Sequence, residues 1–159
     1  MNRKIANAQG LYLDGIRDGR IREAVTKYTG DRYTQHSTGV ADGVEGFVAF
    51  FEPFIERFPE RDIRVLRTLR DGPYVFVHVY QDLNNGEAKW VTADLFDTDE
   101  DDRIVEHWDC IQAYEKDTVS GRSMVDGPTE IVDLEETEAN KTLVRQFCDT
   151  VLVGGDLDR

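Results

Sequence analysis

The hydrophobic period of this chain changes once, from helical to alternating, and this change constrains its fold more than any other feature. Apolar residues recur every three or four positions up to Phe58, and they alternate with polar residues from Ile63 onward. The predicted helices are residues 3–17, 20–28 and 44–58. The predicted strands are residues 63–70, 74–83, 89–96 and 102–114. Helices followed by antiparallel strands predict an α+β fold, with the helices packed on one face of a curved sheet.

The net charge indicates which partners the chain does not bind. The 159 residues carry a formal charge of -13, which argues against nucleic acid and against an anionic membrane as partner. No stretch has the length and hydropathy of a membrane-spanning helix, and residues 1–10 lack the apolar segment of a secretory signal. Cys110 and Cys148 form no metal-binding or redox pair and are expected to be reduced. We therefore expect a cytoplasmic protein.

The pattern changes again after Tyr114. We predict a first domain over residues 1–115, an extended polar arm over 116–133 and a C-terminal segment over 134–159, helical and docked from 134 to 153. The helix aligns with the start of the chain at a constant offset. The aligned pairs are Leu11 with Phe147, Ile16 with Leu152, Gly19 with Gly155 and Ile21 with Leu157. This similarity fits the start of a second, truncated repeat, and it equally fits a generic likeness between two amphipathic helices that end in glycine.

Ionisable side chains interrupt the apolar strands. His107 and Asp109 lie two residues apart and therefore share one face of the last strand. Asp94 shares a face with Trp90 in the preceding strand. An acid in an apolar pocket beside an imidazole can remove a proton next to a carbonyl group and return it elsewhere, without a metal. Asp109 is the candidate base, and Asp94 and His107 are the candidates for tuning it or polarising the substrate.

Each of these residues also has a structural interpretation. His78 fits an ordinary structural or interface histidine, and Asp94 fits an acceptor for the Thr92 hydroxyl or for a backbone amide at the sheet edge. The last strand could instead face the pocket with Trp108. The acidic run 97–102 is interpreted as a solvated hairpin loop, and no spacing resembles a zinc signature. We therefore predict neither a metal nor a cofactor.

Four segments carry a resemblance to a known family. They are YTQHSTGVADGVEGFVAFF (33–51), VFVHVYQ (75–81), VTADLF (91–96) and RIVEHWDCIQAY (103–114). Together they resemble the SnoaL-like, polyketide-cyclase branch of the NTF2-like superfamily, and the likeness covers the chain up to about residue 114. The resemblance implies a cone-shaped α+β fold, in which N-terminal helices wrap a strongly curved antiparallel sheet around a deep apolar pocket. It also implies a homodimer formed sheet to sheet.

The same resemblance implies roles for individual residues. Asp109 matches the aspartate that serves as base for an intramolecular aldol condensation in characterised cyclases. The position of their catalytic histidine falls at Asp94, which is a departure from the family. His36 falls in a QH motif at the pocket mouth, and His78 matches a histidine of the most similar branch. The predicted substrate-binding residues are His36, His78, Trp90, Tyr12 and Phe51.

Two functions follow from these expectations. The first is a cofactor-independent acid/base enzyme, of aldol-cyclase or isomerase type, that acts on a small apolar carbonyl compound. The second is a non-catalytic module that binds a small ligand or forms a dimer. Convergence of His36, His78, Asp94 and Asp109 on one enclosed cavity would favour the enzyme.

Overall fold

The computed structural model of the chain describes residues 2–157 and places the helices largely before the strands. The elements are α1 (Arg3–Gly10), α2 (Ile21–Tyr28), β1 (Thr29–Gln35), α3 (Gly43–Arg57), β2 (Arg61–Asp71), β3 (Tyr74–Leu83), β4 (Ala88–Thr98), β5 (Ile104–Ala113) and α4 (Thr137–Phe147). The predicted α+β class is confirmed.

The five strands form one open sheet in the order β1-β5-β4-β3-β2. Strands β2 to β5 pair antiparallel, as the alternating sequence predicts, and hairpin connections join them. β1 differs, because it pairs parallel to β5 at the edge of the sheet. A parallel pair needs a long connection, and α3 with three strands supplies it. The sheet is therefore mixed rather than wholly antiparallel.

The first helical segment continues past α1 in wider turns over Leu11–Arg17. There the Asp18 amide donates to the Leu13 carbonyl at 3.0 Å, one residue further back than in an α-helix. The segment packs closely on α2, because a Cβ atom at Gly10 would lie 2.4 Å from the Tyr28 ring. Glycine at this position lets the two helices approach, and Tyr12 is thereby held over the sheet.

The core lies between these helices and the inner face of the sheet. Val75, Val77 and Val79 occupy the inner face of β3 and are fully buried. Phe96 continues that face in β4. Burying these side chains removes apolar surface from water and fixes which face of each strand is inside.

The chain divides after Gly127 into two compact units. In the second unit, Leu134–Glu136, α4 and Cys148–Val153 are consecutive helical segments, so the helical prediction for 134–153 is confirmed. None of their residues is buried, and docking of this helix stays a prediction. The predicted bounds 1–115, 116–133 and 134–159 also stay predictions, and residues 1, 158 and 159 lie outside the described part. Across residues 2–157, the helices all fall short of the length and hydropathy that a membrane span requires.

Candidate active site

A cavity of about 420 Å³ lies between α3, the first helical segment and the inner face of the sheet. Its walls are mostly apolar, with phenylalanines of α3 facing β4 and β5. Such a pocket, with few polar groups among apolar walls, is typical of a small-molecule site. The polar lining residues are Tyr12, Tyr33, Gln35, Ser37, Arg57, Gln81, Thr92, Asp94, His107 and Asp109.

The predicted polar cluster lies in this cavity. Asp94 of β4 pairs directly with Asp109 of β5 in the strand register, and His107 lies two residues before Asp109. One side-chain ligand atom from each of the three lies within 4.8 Å of the others. The alternative in which Trp108 faces the pocket is wrong, because Trp108 stacks on His36 instead of lining the cavity.

Asp94 is buried, and both of its carboxylate oxygens have polar partners. Its side chain is 1% exposed. Oδ1 accepts a hydrogen bond from the Tyr12 hydroxyl at 2.7 Å and lies 3.0 Å from His107 Nε2. Oδ2 accepts from the Thr92 hydroxyl at 2.8 Å. The carboxylate is therefore occupied on both oxygens, and the sequence interpretation of Asp94 as a partner of Thr92 is confirmed.

The environment around Asp94 also keeps Tyr12 protonated and fixes the orientation of His107. Burial and then the nearby Asp94 charge raise the pKa of Tyr12, so its hydroxyl keeps its proton and donates. His107 Nδ1 lies 2.8 Å from Gln35 Oε1. The Phe96 ring stacks on the imidazole, with the two ring centroids 4.6 Å apart. Partners on both ring nitrogens and on the ring face fix the orientation of His107.

Asp109 has the opposite environment. It is partly buried and lines the cavity, but its carboxylate has no hydrogen-bond partner among residues 2–157. The two paired carboxylates thus differ in availability: Asp94 is saturated, and Asp109 is open to whatever occupies the cavity. Pairs of titratable groups in contrasting environments are typical of acid/base sites.

Tyr33 and Gln35 are cavity residues that sequence reasoning did not identify. Burial, followed by the charges of Asp94 and Asp109, raises the pKa of Tyr33, so its hydroxyl remains a donor. Both side chains come from the short strand β1 and face the cavity beside His107. The two-residue spacing of Tyr33 and Gln35 could have indicated a shared face, although the mostly polar sequence of β1 shows no clear alternation.

The family of this chain follows from the match of its sequence to a family model. A family model described as the SnoaL-like domain matches residues 11–107, which is more than half of the chain. The chain belongs to the SnoaL-like family. The resemblance described above is thereby confirmed. No curated protein matches this SnoaL-like chain.

Solved structures share the fold of the SnoaL-like domain. A protein from Acidithiobacillus ferrooxidans, provisionally described as a polyketide cyclase, is 18% identical with a TM-score of 0.60, over 69% of this chain and 88% of that one. A similarly described protein from Bacillus cereus is 17% identical with a TM-score of 0.59, over 69% and 74% of the chains. An LEH-like epoxide hydrolase from M. tuberculosis is 17% identical with a TM-score of 0.55, over 69% and 83%.

Three of the residues expected to contact substrate line the cavity of the SnoaL-like domain. Tyr12 comes from the first helical segment, Phe51 from α3 and Trp90 from β4. Trp90 is 38% exposed and lies four residues along β4 from Asp94. Their positions agree with the expectation, while their contacts with substrate stay a prediction.

The structure corrects the expected position of the other two residues, His36 and His78. His36 is exposed, stacks on Trp108 with ring centroids 4.8 Å apart, and lies 2.8 Å from Glu106 Oε1. His78 lies on the outer face of β3, with Nδ1 3.0 Å from Arg67 Nη1. Burial and then the Arg67 charge lower the pKa of His78. Neither histidine lines the cavity. His78 is excluded because Val75, Val77 and Val79 occupy the inner face of β3, whereas His36 is turned toward Trp108 and Glu106.

The cluster of Asp94, His107 and Asp109 is also the arrangement in residues 2–157 that comes closest to a metal site. Within it, the Tyr12 and Thr92 hydroxyls donate to Asp94, while Asp109 has no hydrogen-bond partner among these residues.

Proposed function

We propose that this SnoaL-like protein is a cofactor-independent enzyme that transfers a proton on a small, largely apolar carbonyl compound, with aldol-cyclase or isomerase chemistry. The observation that carries the proposal is the contrast between two paired carboxylates in one apolar cavity. Asp94 accepts hydrogen bonds on both oxygens, whereas Asp109 has none from the described residues 2–157 and faces the cavity. An available carboxylate in a mostly apolar pocket is a suitable general base.

In the proposed reaction, Asp109 removes a proton from the carbon next to the carbonyl group. The electron pair of the broken C–H bond forms the enolate, whose oxygen accepts hydrogen bonds from the Tyr33 hydroxyl and the Gln35 amide. In an isomerase, Asp109 returns the same proton to another carbon. In a cyclase, the enolate carbon attacks a second carbonyl of the same molecule, and Asp109 returns the proton to the new alkoxide.

Asp94 and His107 act in this proposal as positioning residues. Asp94 holds the Tyr12 hydroxyl and the Thr92 hydroxyl, and His107 links Asp94 to Gln35. The chain of contacts fixes Gln35 beside the substrate oxygen. The names of the similar structures support the reaction class, since several are provisionally described as polyketide cyclases.

Hydrogen exchange tests the proposal without knowledge of the natural substrate. The protein is incubated in D2O with a panel of apolar ketones and aldehydes, and NMR follows the loss of the proton signal next to each carbonyl. We expect at least one compound to exchange faster than in buffer, and an apolar ligand that fills the cavity should suppress this exchange. A panel without any enzyme-dependent exchange would contradict the proposal.

The same experiment addresses a second candidate function, non-catalytic ligand binding. This function is favoured by the position of His36 and His78, which do not join Asp94 and Asp109 at the cavity. It predicts that the ketones bind, as seen in a rise of the melting temperature, but do not exchange. Exchange together with binding separates the enzyme from the binding module.

We propose further that the domain forms a homodimer through the outer face of its sheet. One apolar row crosses four strands there, since Leu69, Phe76, Leu95 and Trp108 are successive register partners. Leu69 is 48% exposed and Leu95 38%, and exposed apolar surface of this kind marks interaction sites. The variant Leu95→Arg is expected to shift the mass measured by light scattering from dimer to monomer, whereas Arg22→Gln should leave it unchanged. A monomeric wild-type protein would contradict the homodimer.

A further inference from the structure

Arg57 is placed where it can select the substrate of the proposed site. It lies at the C-terminal end of α3, and it is the one lysine or arginine that lines the cavity among the described residues. Its guanidinium lies over the Phe58 ring, 5.0 Å from the ring centroid, and Phe58 is a buried lining residue. The cation–π contact holds the positive charge at the cavity mouth.

The ion pair of Arg57 is weak. Glu87 Oε1 lies 4.0 Å from its Nη2, and the two side chains are 73% and 52% exposed. Exposed pairs at that separation contribute little, so a ligand anion competes with Glu87 at low cost. The planar guanidinium offers paired N–H donors that match the two oxygens of a carboxylate.

Arg57 and the acidic cluster lie at opposite ends of the cavity. The lining residues of β4 run from Ala88, which follows the Arg57 partner Glu87, through Asp94 to Phe96. The six residue steps from Ala88 to Asp94 span about 20 Å along the strand, and the ten steps from Phe47 to Arg57 span about 15 Å along α3. A cavity of about 420 Å³ with such a length is long and narrow, so it fits an extended molecule.

A continuous aromatic wall joins the two ends. The Phe47 and Phe51 ring centroids are 4.4 Å apart, and the Phe51 and Phe54 centroids are 5.7 Å apart. Phe58 follows at 5.0 Å from Phe54 and lies beneath the Arg57 guanidinium. An apolar ligand body can therefore contact phenylalanine along its whole length, from the acids to the guanidinium.

We infer that the ligand of this cavity is an extended apolar molecule with a carboxylate at the end that lies at Arg57. The charges at the two ends determine its orientation, since Asp94 and Asp109 repel an anionic group and Arg57 attracts it. The opposite, uncharged end reaches Asp109. The assignment of that end as the reacting carbonyl rests on the proposed function, whereas the carboxylate site at Arg57 rests on Arg57 and the cavity shape alone.

A matched pair of probes tests the inference. Decanoate and decanamide have the same length and shape, and only decanoate is charged. Each displaces a neutral, apolar fluorescent dye from the cavity of the full chain at neutral pH. We expect decanoate to bind about tenfold more tightly than decanamide to the wild-type protein, and this preference should shrink as salt is added.

Three variants test whether the preference for decanoate over decanamide depends on Arg57. Arg57→Gln should bind the two probes about equally, because the guanidinium is lost while the apolar wall remains. Glu87→Gln should increase the preference for decanoate, because it removes the competing carboxylate. Arg22→Gln is the control: it makes the same change of net charge at an exposed arginine that pairs with Glu45 away from the cavity, and it should retain the preference.

Two results would overturn the inference: equal binding of both probes to the wild-type protein, or a preference that Arg57→Gln retains to the same degree as Arg22→Gln. Because the measurement is binding, it is independent of the exchange reaction. A carboxylate preference without any ketone exchange contradicts the proposed function alone. Ketone exchange without a carboxylate preference contradicts the site at Arg57 alone.

Discussion

Replacement of Asp109 by asparagine is expected to slow enzyme-dependent hydrogen exchange by about 10²- to 10⁴-fold, the contribution of a positioned general base. The amide has the size and shape of the carboxylate but cannot take a proton at neutral pH. Asp109 has no hydrogen bond among the described residues, so the substitution removes no hydrogen bond of the folded chain. NMR exchange rates of the variant and the wild type, measured with the most active ketone, test this expectation.

Glu106 provides the matched control for Asp109. It lies on the same strand, three residues away and on the outer face, where it pairs with Arg32 and His36. Glu106→Gln removes one negative charge at a similar position along the chain but leaves the cavity intact, and we expect the exchange rate to stay within about twofold. Melting curves and dye binding show whether both variants remain folded with a functional cavity. An Asp109→Asn variant that is folded and exchanges at the wild-type rate would refute the role of Asp109.

The faces of β4 and β5 could be predicted from the sequence because each strand alternates clearly. Asp94 follows Trp90 by four residues, and His107 and Asp109 are two apart, so a period of two places each set on one face. Cross-strand register then brings Asp94 opposite Asp109. The cluster at the centre of the candidate site was accessible to sequence reasoning for this physical reason.

The position of His78 could not be predicted in the same way. Its strand carries valines on one face and aromatic residues with His78 on the other, so both faces are apolar enough to be buried. Only the packing of the first helices on Val77 and Val79 decides which face is inside. A local period determines which residues share a face, and tertiary packing determines which face is buried.

Contacts between distant segments could not be predicted from the sequence either. Tyr12 meets Asp94 across a separation of 82 residues, and Gln35 meets His107 across 72. Nothing in the local pattern of an amphipathic helix shows that one tyrosine on its apolar face supplies a buried hydroxyl to a carboxylate. The sequence interpretation named only Thr92 as a side-chain partner of Asp94, because Thr92 lies two residues away on the same face of the strand.

Loss of the Asp94 carboxylate is expected to be the most destabilising single change in the candidate site. Asp94→Ala leaves the Tyr12 hydroxyl, the Thr92 hydroxyl and His107 Nε2 facing a site where the native carboxylate is 1% exposed. Removing one partner of a buried, hydrogen-bonded pair costs about 3–5 kcal/mol in the free energy of unfolding. Denaturant unfolding at neutral pH measures the difference, with Asp101→Ala in the exposed hairpin loop as the control, expected within about 0.5 kcal/mol of the wild type.

Two milder variants keep the expectation testable if Asp94→Ala does not fold. Asp94→Asn retains one oxygen acceptor and should lose less stability than alanine, because its amide still accepts from one of the hydroxyls. Thr92→Val removes a single donor from Asp94 and is expected to cost about 1 kcal/mol. The order of the three losses follows from the number of hydrogen bonds that each variant leaves at Asp94. If Asp94→Ala unfolded at the same denaturant concentration as Thr92→Val, the carboxylate of Asp94 would contribute no more to stability than its single hydrogen bond with Thr92, and the expectation would be wrong.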